Sequence, residues 1–352
     1  MSRVSVVLFN LGGPDSLDAV QPFLKNLFSD PAIIRAPGPV RWMLARLISS
    51  RRAPLARKIY EQMGGRSPIL PETEAQAAAL KRSLGSVAPE HDWQVVIAMR
   101  YWHPFADEAA AKVKAFGPER IVLLPLYPQF STTTTASSFD DWDRAARLAG
   151  IFAKPTRVCC YPGEDGFISA VTRLAAAGIN EARAKAPGSP LRVLFSAHGL
   201  PKRVIAAGDP YQFQVEQSVA AVCERLRASR HLESAEVVTC YQSRVGPLEW
   251  IGPATDAEIA RAARDGAAIV IVPVAFVSEH SETLVELDIE YRHLAESAGA
   301  TAYVRVPAAG VSEDFIAGLG RLAVQAASGT GVMSGPGGRI CPAAMAGCGG
   351  PR

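Results

Sequence analysis

This 352-residue chain has no long apolar run, few cysteines and a small net charge. Its longest apolar run, residues 267–277, contains Pro273, whereas a membrane-spanning helix needs about 20 apolar residues. Six cysteines are too few for a disulfide scaffold of this length. A net charge of +3 gives no reason to expect a nucleic-acid partner. We therefore expect neither a spanning helix nor a disulfide-stabilised secreted fold.

Two further signals are missing. No basic and apolar leader precedes the strand-like run at residues 4–8, which favours a cytoplasmic protein. The P-loop pattern is absent, and residues 10–14 lack the third glycine of the dinucleotide fingerprint, with Pro14 in an unsuitable position. We therefore expect no nucleotide cofactor.

Short apolar runs alternate with Ala-rich segments of helical spacing, and 48% of the residues are apolar. The runs predict strands at residues 4–8, 95–99, 121–126, 193–196, 237–240, 269–275 and 302–306. The spacing predicts helices at 74–84, 106–116, 167–184, 213–228, 256–265, 284–298 and 313–327. Such alternation is typical of an α/β fold with parallel sheets.

The two halves of the chain resemble each other. A strand, a helix and a second strand ending in IVLLPLY (121–127) recur in the second half, where the last strand reads IVIVPVAF (269–276). We predict two similar lobes, residues 1–160 and 161–328, followed by a Gly, Pro and Cys tail at 329–352. In parallel sheets, ligands bind beyond the carboxyl ends of the strands.

His198 follows the predicted strand at 193–196 and precedes Gly199 and Pro201. A histidine on such a turn is a candidate proton acceptor or metal ligand, because its pKa is near neutral. The alternative is a histidine that only caps the turn through a backbone hydrogen bond.

An acidic segment follows the strand at 269–275. Glu282, Glu286 and Glu290 are four residues apart, so an α-helix would place them on one face, with His280 at its beginning. Carboxylate and imidazole together suit iron, zinc or a related ion. The alternative is a solvated helix face.

Aromatic and basic side chains also follow predicted strands, at Arg100 and Tyr101 and again near Trp250. Stacking rings and arginines would suit a flat aromatic ligand with carboxylate arms. Ordinary core aromatics are the alternative.

Together these motifs resemble the ferrochelatase family over nearly the whole chain. They are LGGP (11–14), MGGRSPI (63–69), RYWHP (100–104), LYPQFS (126–131), FSAHGLP (195–201), QSRVGP (242–247) with Trp250, and EHSETLVELDIEY (279–291). The resemblance implies two Rossmann-like lobes around a porphyrin cleft. It also implies insertion of Fe(II) into a porphyrin with loss of two protons, without a nucleotide or redox cofactor.

The resemblance further implies roles for particular residues. His198 matches the active-site histidine that accepts pyrrole protons or contacts the metal, and Glu282 matches its paired acid. His280 matches a second histidine of the cleft, and Glu286 and Glu290 match an acidic path for metal or protons. The positions expected to line the macrocycle or hold its propionates are Met63, Arg100, Tyr101, Ser131 and Trp250.

Several functional alternatives stay open. The run at 286–291 resembles the branch of the family that uses protoporphyrin IX more than the branch that uses coproporphyrin III. A cobalt or nickel chelatase for sirohydrochlorin-type rings is a rival enzyme, and a porphyrin or haem carrier is a rival without turnover. Monomer and homodimer are both compatible with the sequence.

Residues 31–60 contain seven Lys or Arg and no acidic residue, interleaved with Trp42, Met43 and Leu47. The segment matches the family's active-site lip, which could clasp the porphyrin or rest peripherally on an anionic membrane, the inner membrane in a bacterium. An amphipathic helix packed on its own lobe is the alternative.

Some members of the family hold a [2Fe–2S] cluster with one internal cysteine and three near the C-terminus. A cluster needs four thiolates, and Cys159, Cys160, Cys341 and Cys348 supply four in a different arrangement. Two free thiols in a loose tail are the alternative.

Overall fold

Parallel strands rich in Val, Ile and Leu form the core of each half of the protein. The computed structural model describes residues 1–244, 248–335 and 337–351. The strands are β1 (Ser2–Asn10), β2 (His91–Met99), β3 (Arg120–Pro125), β4 (Thr156–Val158), β5 (Leu191–His198), β6 (Ala235–Gln242), β7 (Ala268–Pro273), β8 (Ala302–Arg305) and β9 (Val332–Met333). Each predicted strand overlaps one of these, and only the short β4 and β9 were not predicted.

Helices connect the strands. They are α1 (Val20–Ser29), α2 (Gly38–Glu61), α3 (Ile69–Val87), α4 (Ala106–Phe116), α5 (Thr135–Leu148), α6 (Asp165–Lys185), α7 (Lys202–Ala206), α8 (Tyr211–Ala228), α9 (Thr255–Arg264), a π-helix (Glu282–Glu290), α10 (Tyr291–Ser297) and α11 (Glu313–Ser328). The predicted helices correspond to α3, α4, α6, α8, α9 and α11. The prediction at 284–298 is confirmed by α10 in its second half, but it is wrong in type over 284–290, which belong to the π-helix.

The two sheets share a strand order. The first runs β2-β1-β3-β4-β9 and the second β6-β5-β7-β8, and every strand pair is parallel. Phe9 of β1 pairs with Pro125, and Ser196 of β5 pairs with Pro273 in the same way. This register confirms the predicted α/β class with two similar lobes. It also places Leu11 of the first lobe at the position that His198 occupies in the second.

The chain divides into two compact units. Unit 1 comprises residues 1–161, 316–340 and 348–352, and unit 2 comprises 162–315 and 341–347. Most of α11 therefore belongs to unit 1, and the segment 329–352 is shared between the two units. Within that segment, β9 pairs with β4, so part of the predicted tail is a strand of the first sheet.

Each unit has its own core. In unit 1, Phe9 of β1 packs edge-on against Phe139 and Trp142 of α5. In unit 2, Ile269 and Ile271 of β7 form a cluster with other buried residues that include Leu287 of the π-helix. Burial of Leu287 holds one side of the π-helix against the sheet. Among the described residues, no helix is both long enough and apolar enough to cross a membrane.

Candidate active site

His198 is the last residue of β5, and its side chain meets the start of the π-helix. Its Nδ1 lies 2.9 Å from Glu282 Oε2. Because Nδ1 faces a carboxylate, it carries the ring hydrogen in the neutral tautomer and leaves the Nε2 lone pair available. The imidazole is 38% exposed, so Nε2 can meet a ligand while Nδ1 is held.

Gly199 lets other parts of unit 2 approach His198 closely. A Cβ at Gly199 would lie 2.9 Å from the carbonyl oxygen of Gln242 and 3.4 Å from the Trp250 ring. Any larger residue would push the strand ends apart. The half-buried Trp250 ring therefore lies against Gly199, the residue that follows His198.

The segment after His280 is a π-helix in its first nine residues, and the predicted α-helix over them is wrong. The N–H of Tyr291 donates to the carbonyl of Glu286, five residues earlier, instead of four as in an α-helix. The wider turn means that Glu282, Glu286 and Glu290 do not form the straight α-helical row. Glu282 faces His198, Glu286 is partly buried, and Glu290 is exposed.

Glu286 is held by three residues. Its carboxylate accepts hydrogen bonds from the Ser243 backbone N–H (2.8 Å) and hydroxyl (2.5 Å), from Tyr291 Oη (3.0 Å) and from Gln242 Nε2 (3.2 Å). Ser243 has a φ of +60°, in the left-handed region that non-glycine residues rarely adopt. Its strained backbone points both of its donors at one carboxylate.

Gln242 connects Glu286 to the sheet interior. Its Oε1 accepts a hydrogen bond from Ser196 Oγ at 2.7 Å, and Ser196 Oγ lies 2.9 Å from Thr255 Oγ1. Its Nε2 also reaches the carbonyl oxygen of Glu282 at 3.2 Å. Buried polar groups that are fully paired in this way keep one arrangement.

His280 has one ring nitrogen occupied. Its Nδ1 lies 3.1 Å from the carbonyl oxygen of Ser278, and its ring packs 4.7 Å from the ring of Phe276. Donation from Nδ1 leaves Nε2 as the free nitrogen of a nearly buried ring. His280 also contributes to the electrostatic field at Glu282.

The pKa values of His198, Glu282 and Glu286 are shifted from their ordinary values, and those of the two carboxylates are shifted in opposite directions. Burial alone would lower the pKa of His198, but Glu282 and Glu286 outweigh it, so that pKa is raised above 6.5. Burial also opposes ionisation of Glu282, yet His198 and His280 lower the pKa of Glu282 to about 2. Burial and the Glu282 charge raise the pKa of Glu286 above 4.5. Glu282 is therefore the permanent anion, and Glu286 is the carboxylate that takes up a proton more readily.

Arg100 and Tyr101 lie in unit 1, directly after β2, and both contact Asp30. Arg100 Nη2 is 2.9 Å from Asp30 Oδ2, Arg100 Nε donates to Ser137 Oγ at 2.7 Å, and Tyr101 Oη donates to Asp30 at 2.7 Å. The same aspartate also accepts a short hydrogen bond from Ser137. Arg100 borders a cavity of about 210 Å³, whereas Tyr101 is 1% exposed and points inward.

Ser131 and Met63 are the other predicted macrocycle contacts in unit 1. Ser131 is buried, and its hydroxyl lies 2.9 Å from Thr133 Oγ1 in the turn before α5. Met63 is half-buried just after the end of α2. Of the predicted site residues, the structure thus brings His198, Glu282, Glu286, His280 and Trp250 together within unit 2, and the remaining macrocycle contacts lie in unit 1.

Sequence reasoning did not select Ser243, Gln242, Tyr291 or Asp30 as site residues. Gln242 and Ser243 lie in the motif at 242–247, whose last three residues are outside the described part of the chain. The contact from Tyr291 to Glu286 spans five residues and follows from the π-helix, which the spacing of acids did not reveal. No local signal connects Asp30 to Arg100.

The basic segment at 31–60 contains α2, and its two sides differ. Ala45, Ser49, Ala53 and Tyr60 are buried. Trp42 and Met43 are each 56% exposed, and Arg46 stacks over the Trp42 ring. The packed side fits the amphipathic-helix alternative, and the exposed aromatic and apolar side chains distinguish α2 from an ordinary packed helix.

Among the described residues, none of the four cysteines considered for a cluster forms a disulfide. Cys159 and Cys160 are buried with their sulfurs 3.2 Å apart, and the sulfurs of Cys348 and Cys159 both lie beside Gly350 in unit 1. Cys341 belongs to unit 2, where its sulfur accepts a hydrogen bond from Gln214. Within the described ranges, no three His, Cys, Asp or Glu side chains are grouped to hold a metal ion, so these cysteines are not preassembled as a cluster site.

Comparisons with known proteins give a consistent result. The model of the family described as Ferrochelatase matches residues 3–327. The ferrochelatase of Hyphomonas neptunium is 52% identical over 98% of this chain and 94% of its own length. That of Caulobacter vibrioides is 55% identical over 91% of this chain and 89% of its own length.

A solved structure, SirB from Bacillus subtilis with Fe3+, has a TM-score of 0.51 to this chain. It covers 93% of this chain and 96% of its own, at 13% sequence identity. At that identity the likeness supports the two-lobed α/β fold alone.

Proposed function

Because the chain belongs to the ferrochelatase family, we propose that it inserts Fe(II) into protoporphyrin IX to form protohaem, with His198 as the base. An enzyme of this family is a metal-chelating lyase whose substrates are a porphyrin and ferrous iron. The observation that carries the proposed mechanism is the contact of His198 with Glu282, together with the opposite pKa shifts of Glu282 and Glu286.

Insertion exchanges one Fe(II) ion for the two N–H protons of the free-base macrocycle, so the site must accept two protons. We assign the first to His198 Nε2, whose raised pKa makes it a strong acceptor. The anionic Glu282 stabilises the resulting imidazolium through Nδ1. We assign the second proton to Glu286. Its pKa is raised while that of Glu282 is lowered, and of two neighbouring carboxylates the one with the higher pKa is the better proton acceptor.

The exposed Glu290 and the partly buried Glu286 and Glu282 support an acidic path for the incoming ion from the surface toward His198. Carboxylates can replace the waters of a hydrated cation in steps. The Nε2 of His280 is a further ligand near Glu282. Binding at one face would also favour a bent macrocycle, whose nitrogen lone pairs are exposed.

For the porphyrin we propose contacts from Trp250, Met63, Arg100, Tyr101 and Ser131. The Trp250 ring, which lies against Gly199 next to His198 in sequence, supports stacking on the macrocycle. Arg100 lines an open cavity, so it can share its guanidinium between Asp30 and a propionate. Tyr101 and Ser131 are buried and would act by holding Arg100 and the turn before α5.

The test is anaerobic metalation of protoporphyrin IX by Fe(II), followed by absorbance, with coproporphyrin III and sirohydrochlorin in parallel. His198→Ala should lower kcat by about 100-fold or more, as expected for loss of a general base. His293→Ala, an exposed histidine in α10, is the matched control and should keep the wild-type rate. An unchanged rate in His198→Ala would refute the assigned role, and a strong preference for coproporphyrin III would reverse the substrate assignment.

We further propose that α2 contacts an anionic membrane surface peripherally, on the cytoplasmic side of the inner membrane. Seven basic residues without an acid in 31–60 support attraction to anionic headgroups, and the exposed Trp42 and Met43 support shallow insertion. A porphyrin is itself apolar, so membrane contact would place the enzyme where its substrate partitions.

A [2Fe–2S] cluster on Cys159, Cys160, Cys341 and Cys348 is the remaining proposal. The adjacent sulfurs of Cys159 and Cys160 and the proximity of Cys348 to Gly350 support three ligands from unit 1. Cys341 would have to exchange its contact with Gln214 for iron. The proposed chemistry at His198 uses no step through this group.

A further inference from the structure

A partly buried ion-pair network connects the π-helix and the residues before it to β8. Arg305, the last residue of β8, donates from Nη1 to Glu279 Oε1 at 2.7 Å. Its Nε lies 3.4 Å from Asp288 Oδ2. One guanidinium therefore pairs with two carboxylates that come from different ends of the acidic segment.

The two carboxylates bracket His280, Glu282 and Glu286, three of the four groups assigned to metal handling, and Glu290 lies beyond them. Glu279 immediately precedes His280, and Asp288 lies in the π-helix two residues after Glu286. Glu279 also accepts a hydrogen bond from the backbone N–H of Ala308, just beyond β8. Both ends of the segment 279–288 are thus attached to β8.

The strand β8, to which the segment is attached, is itself held in place by pairing with the buried strand β7. Arg305 pairs in register with Ile271 of the buried strand β7, and its side chain is only 12% exposed. Tyr303 lies two residues earlier and so on the same face of the strand. Its hydroxyl donates to the carbonyl of Leu287, in the π-helix, at 2.5 Å.

A π-helix of nine residues needs such external contacts. Its i→i+5 hydrogen bonds are rarely sustained beyond a single turn, so tertiary interactions must select it over an α-helix. Charge makes the need greater, because the segment 279–290 contains five acidic residues and no basic one except His280. Removing the cation of Arg305 would leave the largely buried carboxylate of Glu279 without the partner that compensates its charge.

From this geometry we infer that Arg305 is a positioning residue for iron insertion: it holds the π-helix in the register that presents Glu282 and Glu286 to the metal. The inference rests on the proposed function of those two carboxylates. Arg305 contacts neither of them and would not itself contact substrate.

Arg292 of α10 provides the matched control. It also pairs with Asp288, at 2.5 Å, is 36% exposed and donates to the carbonyl oxygen of Tyr303 in β8 at 3.0 Å, and its described contacts do not include Glu279. Arg292→Gln removes an ion pair of the same type from the same aspartate, whereas Arg305→Gln removes the ion pairs that connect both Glu279 and Asp288 to β8.

The experiment measures steady-state kinetics for the metal and the porphyrin separately, in the full-length chain, with thermal unfolding of each variant. Arg305→Gln should raise the KM for Fe(II) by about tenfold or more, as for loss of a group that orients metal ligands, while the KM for porphyrin stays near the wild-type value. Arg305→Lys should restore the KM for Fe(II) in part. The lysine ammonium can pair with one carboxylate, but it lacks the guanidinium geometry that pairs with two. Arg292→Gln should change the KM for Fe(II) much less.

Co(II) binding without porphyrin, measured by calorimetry, supplies a readout that does not need turnover. The affinity should fall in Arg305→Gln and recover in part in Arg305→Lys. If the wild-type chain binds Co(II) but metalates no porphyrin, the proposed function fails and the positioning role is still decided by these affinities. Should Arg305→Gln not fold, Arg305→Lys carries the comparison. Wild-type Co(II) affinity and Fe(II) KM in a folded Arg305 variant, or equal losses in the Arg305 and Arg292 variants, would overturn the inference.

Discussion

The imidazole Nδ1 of His198 lies 2.9 Å from the carboxylate of Glu282, although 84 residues separate the two in sequence. β5 ends at His198 and the π-helix begins at Glu282, so two ends of secondary structure meet at this contact. It sets the tautomer of the imidazole, raises the imidazole pKa and keeps the carboxylate ionised.

That contact predicts a pH dependence. Nε2 accepts a proton only when His198 is neutral, so kcat/KM should rise with pH through a pKa above the usual 6.5. In Glu282→Gln the opposing charge is lost and burial then lowers the pKa of His198, so the rising limb should move to lower pH while the maximal rate falls. pH profiles of kcat/KM for both proteins measure the shift. The control is Glu290→Gln, which substitutes an exposed carboxylate and should leave the rising limb of the profile at the wild-type pH. A rising limb that does not move in Glu282→Gln would contradict the assignment of His198 as the titrating base.

The left-handed backbone of Ser243 predicts that alanine and glycine substitutions there differ in their free energy of unfolding. Both Ser243→Ala and Ser243→Gly remove the hydroxyl that donates to Glu286 and keep the backbone N–H donor. Only glycine also relieves the φ of +60°, so Ser243→Gly should have the larger free energy of unfolding, by about 1 kcal/mol. Urea titration of the two variants tests the strain, and equal stabilities would count against it.

Both Ser243 variants should also lose activity. Without the hydroxyl, the carboxylate of Glu286 loses one of the four hydrogen bonds that orient it, so it is held less well for metal and proton handling. A similar fall of kcat in the alanine and glycine variants, despite their different stabilities, is the expected kinetic result. Wild-type kcat in either variant would show that the hydroxyl has no part in positioning Glu286.

The exposed side of α2 predicts salt-sensitive membrane binding. The wild-type chain should float with anionic vesicles at low salt and dissociate as salt rises, because each basic residue near the surface contributes about 1 kcal/mol that ions screen. Trp42→Ala with Met43→Ala should weaken flotation. The control is Leu148→Ala with Phe152→Ala, two apolar residues exposed elsewhere in unit 1. Absence of wild-type flotation at low salt would refute the proposal.

The proposed [2Fe–2S] cluster predicts the colour and the iron content of the purified protein. If they hold a [2Fe–2S] cluster, the anaerobically purified chain should be red-brown, with about two non-haem irons and two labile sulfides per chain. Cys159→Ser, Cys160→Ser, Cys341→Ser and Cys348→Ser should each abolish them, and Cys223→Ala, in the buried side of α8, should not. A colourless preparation without labile sulfide would reject the cluster, and retained colour in one ligand variant would reject that ligand.

The sequence predicted most of the framework. Strand runs such as residues 121–126 and helices such as 106–116 were recognisable because local apolar periodicity reflects burial against a sheet. α1, α5 and α7 were not predicted as helices, and α2 was considered only as an alternative. The two shortest strands were not predicted, because two or three residues carry too little pattern. The motif order indicated His198 and Glu282, yet only the fold brought them into contact.

Residues 279–291 separate what the sequence determined from what the tertiary structure decided. The sequence by itself determined which acids and histidines are present and that they follow a buried strand. The helix type was decided by contacts from β8, where Tyr303 and Arg305 meet Leu287, Asp288 and Glu279. Those partners are distant along the chain, and the free energy that selects a π-helix over an α-helix comes from them and not from local propensity.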